Sequence, residues 1–304
     1  MASAGNVMLR ARYSDLFSSR LAFLDEILFE NFDAPTLTYT KVFHVRDSNR
    51  PYEEVTGITG FSQFSQKDEG SAIDFDTLLQ GFDKRFTHLT YAKGFQISFE
   101  AMDDDMDGAI TNAAPALSRA ARSSIEVLIW GVLNGGFATY TTPDGAYLFS
   151  DSHLQVNGGT ADNLISGDLS IANLESAILL FDSLVDDRDL IIEAEPAMLI
   201  IPPELRWTAY EILKSQLRSD TAANAVNAFN QVGLDIVMSK YLTGDDDWFL
   251  FARPDQHRVL VYWRQDPVSD HTLDFDTGNM KSKMTYRLSV GPADWRGTVG
   301  GQGA

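Results

Sequence analysis

The run Ser150-Asp151-Ser152-His153 holds every side-chain type of a hydrolytic triad within four residues. A triad needs nucleophile, base and orienting carboxylate to converge from separate parts of a fold, whereas adjacent residues project in different directions. The run therefore reads as a loop that His153 ties down by a hydrogen bond, and a hydrolase built on it is the remote alternative. Asp103, Asp105, Asp107 and Gly108 match positions one, three, five and six of an EF-hand calcium loop, and Ile110 suits position eight. Position twelve is Ala114, where a bidentate glutamate is required. The residues before the loop read as strand, so it is a solvated acidic turn at the positive end of the next helix. The histidines at 44, 88, 153, 257 and 271 include no pair at zinc-ligand spacing. Asp245-Asp246-Asp247 reads as a hairpin tip, and Asp103/Asp104 and Asp186/Asp187 sit at helix ends with no visible partner. Gly300-Gly301-Gln302-Gly303 has no helix after it, so it is no phosphate loop. The expectation is no catalytic, cofactor or metal site, and no enzyme.

Composition narrows the class further. A chain of 304 residues, 44% of them hydrophobic, can bury a real core. Its 24 Lys and Arg against 43 Asp and Glu give a net charge of −19, which repels nucleic acid and excludes sequence-specific DNA binding. There is no cysteine, hence no disulfide, thiolate metal site or cysteine nucleophile. The first residues lack the apolar core of a secretory signal, and no apolar run nears the roughly 20 residues of a membrane span. A soluble product made in the cytoplasm, with no membrane partner, is expected.

The elements that must carry these residues are legible from periodicity. Leu16/Phe17, Leu21, Leu24, Ile27/Leu28 and Phe32 recur at three and four, after Ser14 and before Pro35, so residues 14–32 form an amphipathic helix. It packs either on its own domain or, as an arm, on a neighbouring subunit. Alternation from Thr36 to Val45 predicts a strand. Residues 46–94 read as a long hairpin-like arm with a polar tip at Lys67–Ser71, leaving and re-entering the fold near one point. Excising Tyr52–Lys93 should then spare the remaining domains. On that arm Phe61 and Phe64 stand among Gly, Ser and Gln with too little apolar company for a core. Helices are predicted over 111–133, from Ser170, and over 204–217 after Pro202-Pro203. The run 197–201 is a strand buried on both faces, and Leu234–Met238, Trp248–Ala252, Val259–Trp263 and Met284–Val290 are strands. The glycine-rich end from Gly297 reads as a tail, flexible or held by a neighbour. The class is α+β.

The spacing of several short pieces carries a resemblance. Leu148-Phe149-Ser150 with His153, Gly158-Gly159, the strand closed by Pro202-Pro203, Trp248-Phe249-Leu250-Phe251-Ala252 with Pro254, and Asp294-Trp295-Arg296-Gly297 recur in one order. Together they resemble the major head subunit of tailed bacteriophages, in the Mu-like branch. The resemblance implies the HK97-type capsid fold, with an N-terminal arm (1–33) and a peripheral domain (34–157). That domain would hold the extended β-hairpin loop (46–94) and a long spine helix (111–133). An axial domain (158–272) and a return to the peripheral domain with a C-terminal tail (273–304) would follow. It also implies self-assembly into pentamers and hexamers of an icosahedral shell around double-stranded DNA, which is enclosed without sequence-specific binding. Partners would be the chain itself, a portal, a scaffold or protease, and decoration proteins. The product would reside in the virion, assembled in the host bacterial cytoplasm. Phe61, Phe64, Leu21, Leu24 and Leu28 are the candidate inter-subunit contacts. An encapsulin-type nanocompartment shell, which shares the fold but encloses enzymes, is the alternative.

Overall fold

The computed structural model describes residues 37–98, 109–215, 227–274, 277 and 279–303. In chain order a 3-10 turn (Tyr39–Lys41) leads to β1 (His44–Asp47), β2 (Tyr52–Ile58), β3 (Gln80–Thr87) and β4 (Leu89–Ile97). Helix α1 (Ala109–Asn134) follows, then β5 (His153–Leu154), β6 (Thr160–Ala161), β7 (Leu164–Ser166) and α2 (Ile171–Asp182). Next come β8 (Pro196–Ile201), α3 (Arg206–Lys214), α4 (Phe229–Val232), β9 (Asp235–Met238) and β10 (Trp248–Ala252). The long strands β11 (Val259–Leu273) and β12 (Met280–Pro292) precede β13 (Thr298–Gln302). The described residues divide into two compact units, one drawn from 37, 89–125 and 265–288, the other from 38–88, 126–264 and 289–303.

In the first unit β4 pairs antiparallel with β12 from Leu89↔Leu288 to Ile97↔Met280. Alternate residues Met280, Met284, Tyr286 and Leu288 are buried, and Tyr91 stacks on Tyr286 at 5.3 Å. Leu117, Ala121 and Ile125 share the buried stripe of α1 at helical spacing.

The second unit holds a five-stranded sheet in the order β7-β13-β10-β8-β9. β8, a continuous apolar run, is buried along its length after its first two residues, as a strand with neighbours on both sides and cover on both faces must be. Helix α2 starts where Ser170 Oγ accepts from the Asn173 N–H at 3.2 Å, and it buries Leu174, Ala177 and Phe181. The expected glycine-rich tail is in fact the interior strand β13. A Cβ on Gly301 would lie 2.0 Å from the Trp248 ring, and one on Gly300 2.5 Å from Phe149, so glycine is there to admit aromatic side chains.

Two further expectations change. The strand read over 36–45 is broken by the 3-10 turn, because Tyr39, Val42 and Phe43 all turn inward. Buried Glu126 holds the turn in place. Its Oε1 accepts the Thr38 N–H at 2.6 Å, and its Oε2 accepts from Thr38 Oγ1 at 2.9 Å and Trp130 Nε1 at 2.7 Å. The hairpin arm is also shorter than 46–94. β2 and β3 pair antiparallel, but Phe86 is buried with Leu260, Tyr262 and Ala293, and β4 belongs to the first unit's ladder. Excision of Tyr52–Lys93 would therefore remove core and unfold the chain.

His257 gives the second unit a pH dependence. Its Nε2–H donates to Val42 O at 2.7 Å and its Nδ1 accepts the Val259 N–H at 3.2 Å, which fixes the neutral tautomer. Burial holds its pKa down to about 4, against the hydrogen bond to Val42. Between the ordinary value of 6.5 and about 4 the unfolded chain binds the extra proton. The contribution is therefore whole above pH 6.5 and drains away as pH falls through the folded pKa, by about 3 kcal/mol in all. Urea unfolding from pH 7 to pH 4 should show this slope, and His257→Gln should flatten it. An equal slope in both proteins would refute the assignment.

Candidate functional site

Two of the signature pieces, the segment from Leu148 to His153 and the Trp295 motif, meet at His153. Its ring is fully buried, with Nδ1 2.8 Å from Asp144 Oδ2 and Nε2 3.1 Å from Asn163 Oδ1. The Asn163 amide is oriented by its own donors, since Nδ2 gives hydrogen bonds to Leu148 O at 2.9 Å and Thr298 O at 3.1 Å. Its Oδ1 also accepts the Ser150 N–H at 2.9 Å. Both ring nitrogens thus face oxygens of neighbouring side chains. Burial opposes the charge on Asp144, but hydrogen bonds from His153 and Thr142, the His153 charge and the Ala146 N–H outweigh it and hold the carboxyl below its ordinary value. The face of the His153 ring stacks on Trp295 at 4.6 Å and 13°.

Ser150, Ser152 and His153 do not form a triad. The Ser150 hydroxyl accepts the Ser152 N–H at 3.2 Å, and the ring nitrogens of His153 are taken by Asp144 and Asn163, so neither Ser150 nor Ser152 is paired with that histidine. Among the described residues no cluster of three or more His, Cys, Asp or Glu could hold a metal, and no helix is long and apolar enough to cross a membrane. The acidic run Asp103, Asp105 and Asp107 lies outside the described residues. Asp247 is no bare tip, since its Oδ1 accepts the Gly303 N–H at 3.2 Å.

Arg296, beside Trp295, extends the node. Its Nε donates to Val185 O at 3.2 Å and its Nη2 to Asp187 Oδ1 at 2.8 Å, with Asp294 Oδ2 at 3.4 Å from Nη1. Burial works against the guanidinium, and Asp294 and Asp187 more than compensate, so its pKa is raised. Asp187, without a partner in the sequence reading, is one anchor of this arginine. On the opposite side Lys84 of β3 donates to Thr141 O at 2.6 Å. Burial lowers the Lys84 pKa against the pull of Asp144. A cleft of about 370 Å³ lies between the hairpin residues Ile58 and Phe82 and the side formed by Asp187 and Arg296.

The remaining candidates sit on the loop between β2 and β3. Phe61 is 53% exposed and Phe64 97%, accompanied by Ile73 and Phe75 at 64% and 87%. The structure does not bring them together with His153. Leu21, Leu24 and Leu28, with the whole predicted helix 14–32, lie outside the described residues. Sequence reasoning missed Asp144, Asn163 and Glu126, since nothing in the spacing of single polar residues betrays a buried network.

A family model described as phage capsid protein matches residues 82–300. A search of curated proteins finds no match. Among solved structures the chain is similar to one from Microbacterium phage Oxtober96, with 12% identity, TM-score 0.56, and coverage of 86% of this chain and 90% of that one. It is also similar to the capsid of bacteriophage JBD30 decorated with minor capsid protein trimers, at 13% identity, TM-score 0.58 and coverage of 69% and 92%. A virus-like particle from Pyrococcus furiosus shares the fold at 10% identity and TM-score 0.51, over 92% of this chain and 98% of that one. These likenesses establish an α+β fold of the HK97 capsid type. The family match spans the whole of α1, the loop of His153, the strands β8 to β10 and the Trp295 motif, and the chain belongs to the phage capsid protein family.

Proposed function

We propose that this chain is the major shell subunit of a tailed-phage head, in the Mu-like branch, and that its copies close as pentamers and hexamers around packaged double-stranded DNA. The observation that carries the reading is the loop between β2 and β3. It exposes Phe61, Phe64, Ile73 and Phe75 on a hairpin that projects from a well-packed body. Apolar surface of this kind marks an interaction site, and a subunit that repeats heterologous contacts around a closed shell must bury such area on its neighbours. Phe61 and Phe64, with Leu21, Leu24 and Leu28 of the N-terminal segment, are the contacts we assign to neighbouring copies. We keep the division into arm (1–33), peripheral domain (34–157), axial domain (158–272) and return segment (273–304), with Thr298–Gln302 counted in the sheet that holds β10. The charge of −19 suits a wall that does not grip DNA. A portal, a scaffold or protease and decoration proteins complete the partner set, and assembly takes place in the cytoplasm of the bacterial host. The test is electron microscopy of the full chain expressed alone and with its scaffold. Closed shells of pentamers and hexamers are expected. Monomers or open filaments under every condition would overturn the reading, and shells filled with enzyme cargo would favour the nanocompartment.

A further inference from the structure

The loop between β2 and β3 has no strand ladder past Ile58 and Gln80, so other groups hold its two limbs together. Asp76 is the clip. Its Oδ2 accepts from the N–H and the hydroxyl of Ser62, each at 2.8 Å, and its Oδ1 accepts the Thr77 N–H at 2.8 Å. Those bonds, the Ser62 N–H foremost, hold the carboxyl down to about 2.

Arg188 fastens the clipped loop to the body. Arg188 Nη2 donates to Thr77 O at 2.7 Å and lies 3.6 Å from Asp76 Oδ1. The turn that presents Arg188 is itself fixed. Asp186 Oδ1 accepts the N–H groups of Arg188 at 2.8 Å and Leu190 at 2.9 Å. Asp189 sits in the left-handed region at φ 61°, its carboxylate accepting from Asn157 Nδ2 at 3.1 Å. Between this fastening and the root, held by Lys84 on Thr141 O, the hairpin has a weak point. The register slips between Thr56 and Ile58, where Gly57 and Gly81 face each other. A Cβ on either would come within 3.1 to 3.2 Å of the opposite backbone, so a side chain at either position would press the two strands apart by a few tenths of an ångström. The cleft of about 370 Å³ beneath gives the hairpin room to bend there.

In the fastened position Phe64 and Phe75 remain 97% and 87% exposed, so the contact hides nothing and does not inhibit. We propose that Arg188, by gripping Thr77 and Asp76, is a positioning residue that fixes the direction of the loop above a Gly57/Gly81 hinge, so that its aromatic rings meet a second copy already oriented. This rests on the shell-subunit reading. A loop ordered beforehand loses less freedom on docking, and the planar guanidinium reaches carbonyl and carboxylate together in a way an ammonium does not.

The test measures amide hydrogen exchange across residues 60–79 in the full chain, held as dilute unassembled subunits, alongside the concentration needed for half-assembly. Arg188→Ala should speed exchange in the loop by roughly tenfold, raise the assembly threshold several-fold and leave the melting temperature unchanged. Arg188→Lys should recover part of both effects. Adding Asp76→Ala to Arg188→Ala should cost less than the sum of the two single changes. Unchanged loop exchange in Arg188→Ala overturns the proposal, whether or not the melting temperature falls, and so does faster exchange with an unaltered threshold. If the unmodified chain never assembles, the shell reading fails, and the strap is judged by exchange alone.

Discussion

Replacing Gly60–Leu78 with a short Gly/Ser linker should leave the melting temperature of the subunit unchanged and abolish closed shells. The cut points are close in space, because the Thr59 N–H donates to Leu79 O at 3.0 Å and the Leu79 N–H donates to Thr59 Oγ1 at 3.0 Å. The excised residues are exposed, apart from what Arg188 and Asp186 touch, so the body loses little. Assembly loses much more. Each aromatic ring buried on a neighbour contributes up to about 3 kcal/mol, and the loop offers Phe61, Phe64 and Phe75 with Ile73 beside them. That contribution recurs at every copy of the interface. Circular dichroism with electron microscopy reads both halves of the expectation. Normal shells in normal yield would remove the loop from the assembly interface, and an unfolded product would show that the loop supports the body.

The second large effect is expected at His153. Its replacement by Ala leaves the Asp144 carboxylate, 3% exposed, without the hydrogen-bond partner that offsets its burial. Leaving a buried acceptor without its donor costs about 1–3 kcal/mol, and a charged acceptor stands at the upper end. The Trp295 ring loses its stacking partner in the same step. His153→Gln, which keeps one donor, should recover part of the loss. Ser150→Ala should cost under about 1 kcal/mol, because that hydroxyl meets only the neighbouring Ser152. Urea unfolding at neutral pH measures all three. If Ser150→Ala cost as much as His153→Ala, the two would act as a unit, and the structural reading of His153 would be wrong.

The sequence by itself determined the elements whose signals are local. β10 (Trp248–Ala252) falls where its apolar run does, α1 extends the predicted helix by one or two residues at each end, and α2 begins at the N-cap Ser170. It also carried the family, because the resemblance rested on the order of Phe149, His153, Trp248, Trp295 and Arg296, and the phage capsid family model matches the stretch that holds them. Only the tertiary structure decided what those residues do. His153 is a hub because Asp144, Asn163 and Trp295 close around it, and Trp295 lies more than a hundred residues away in sequence. Spacing cannot express a contact made by chain crossing. The long strands β11 and β12 outrun their apolar cores because backbone pairing does not require apolar side chains, as Lys281 and Lys283 on β12 demonstrate. The end of the chain is the clearest case. Glycine reads locally as freedom, yet Gly300 and Gly301 lie in the interior of a sheet, because two aromatic side chains occupy the volume their own side chains would have filled.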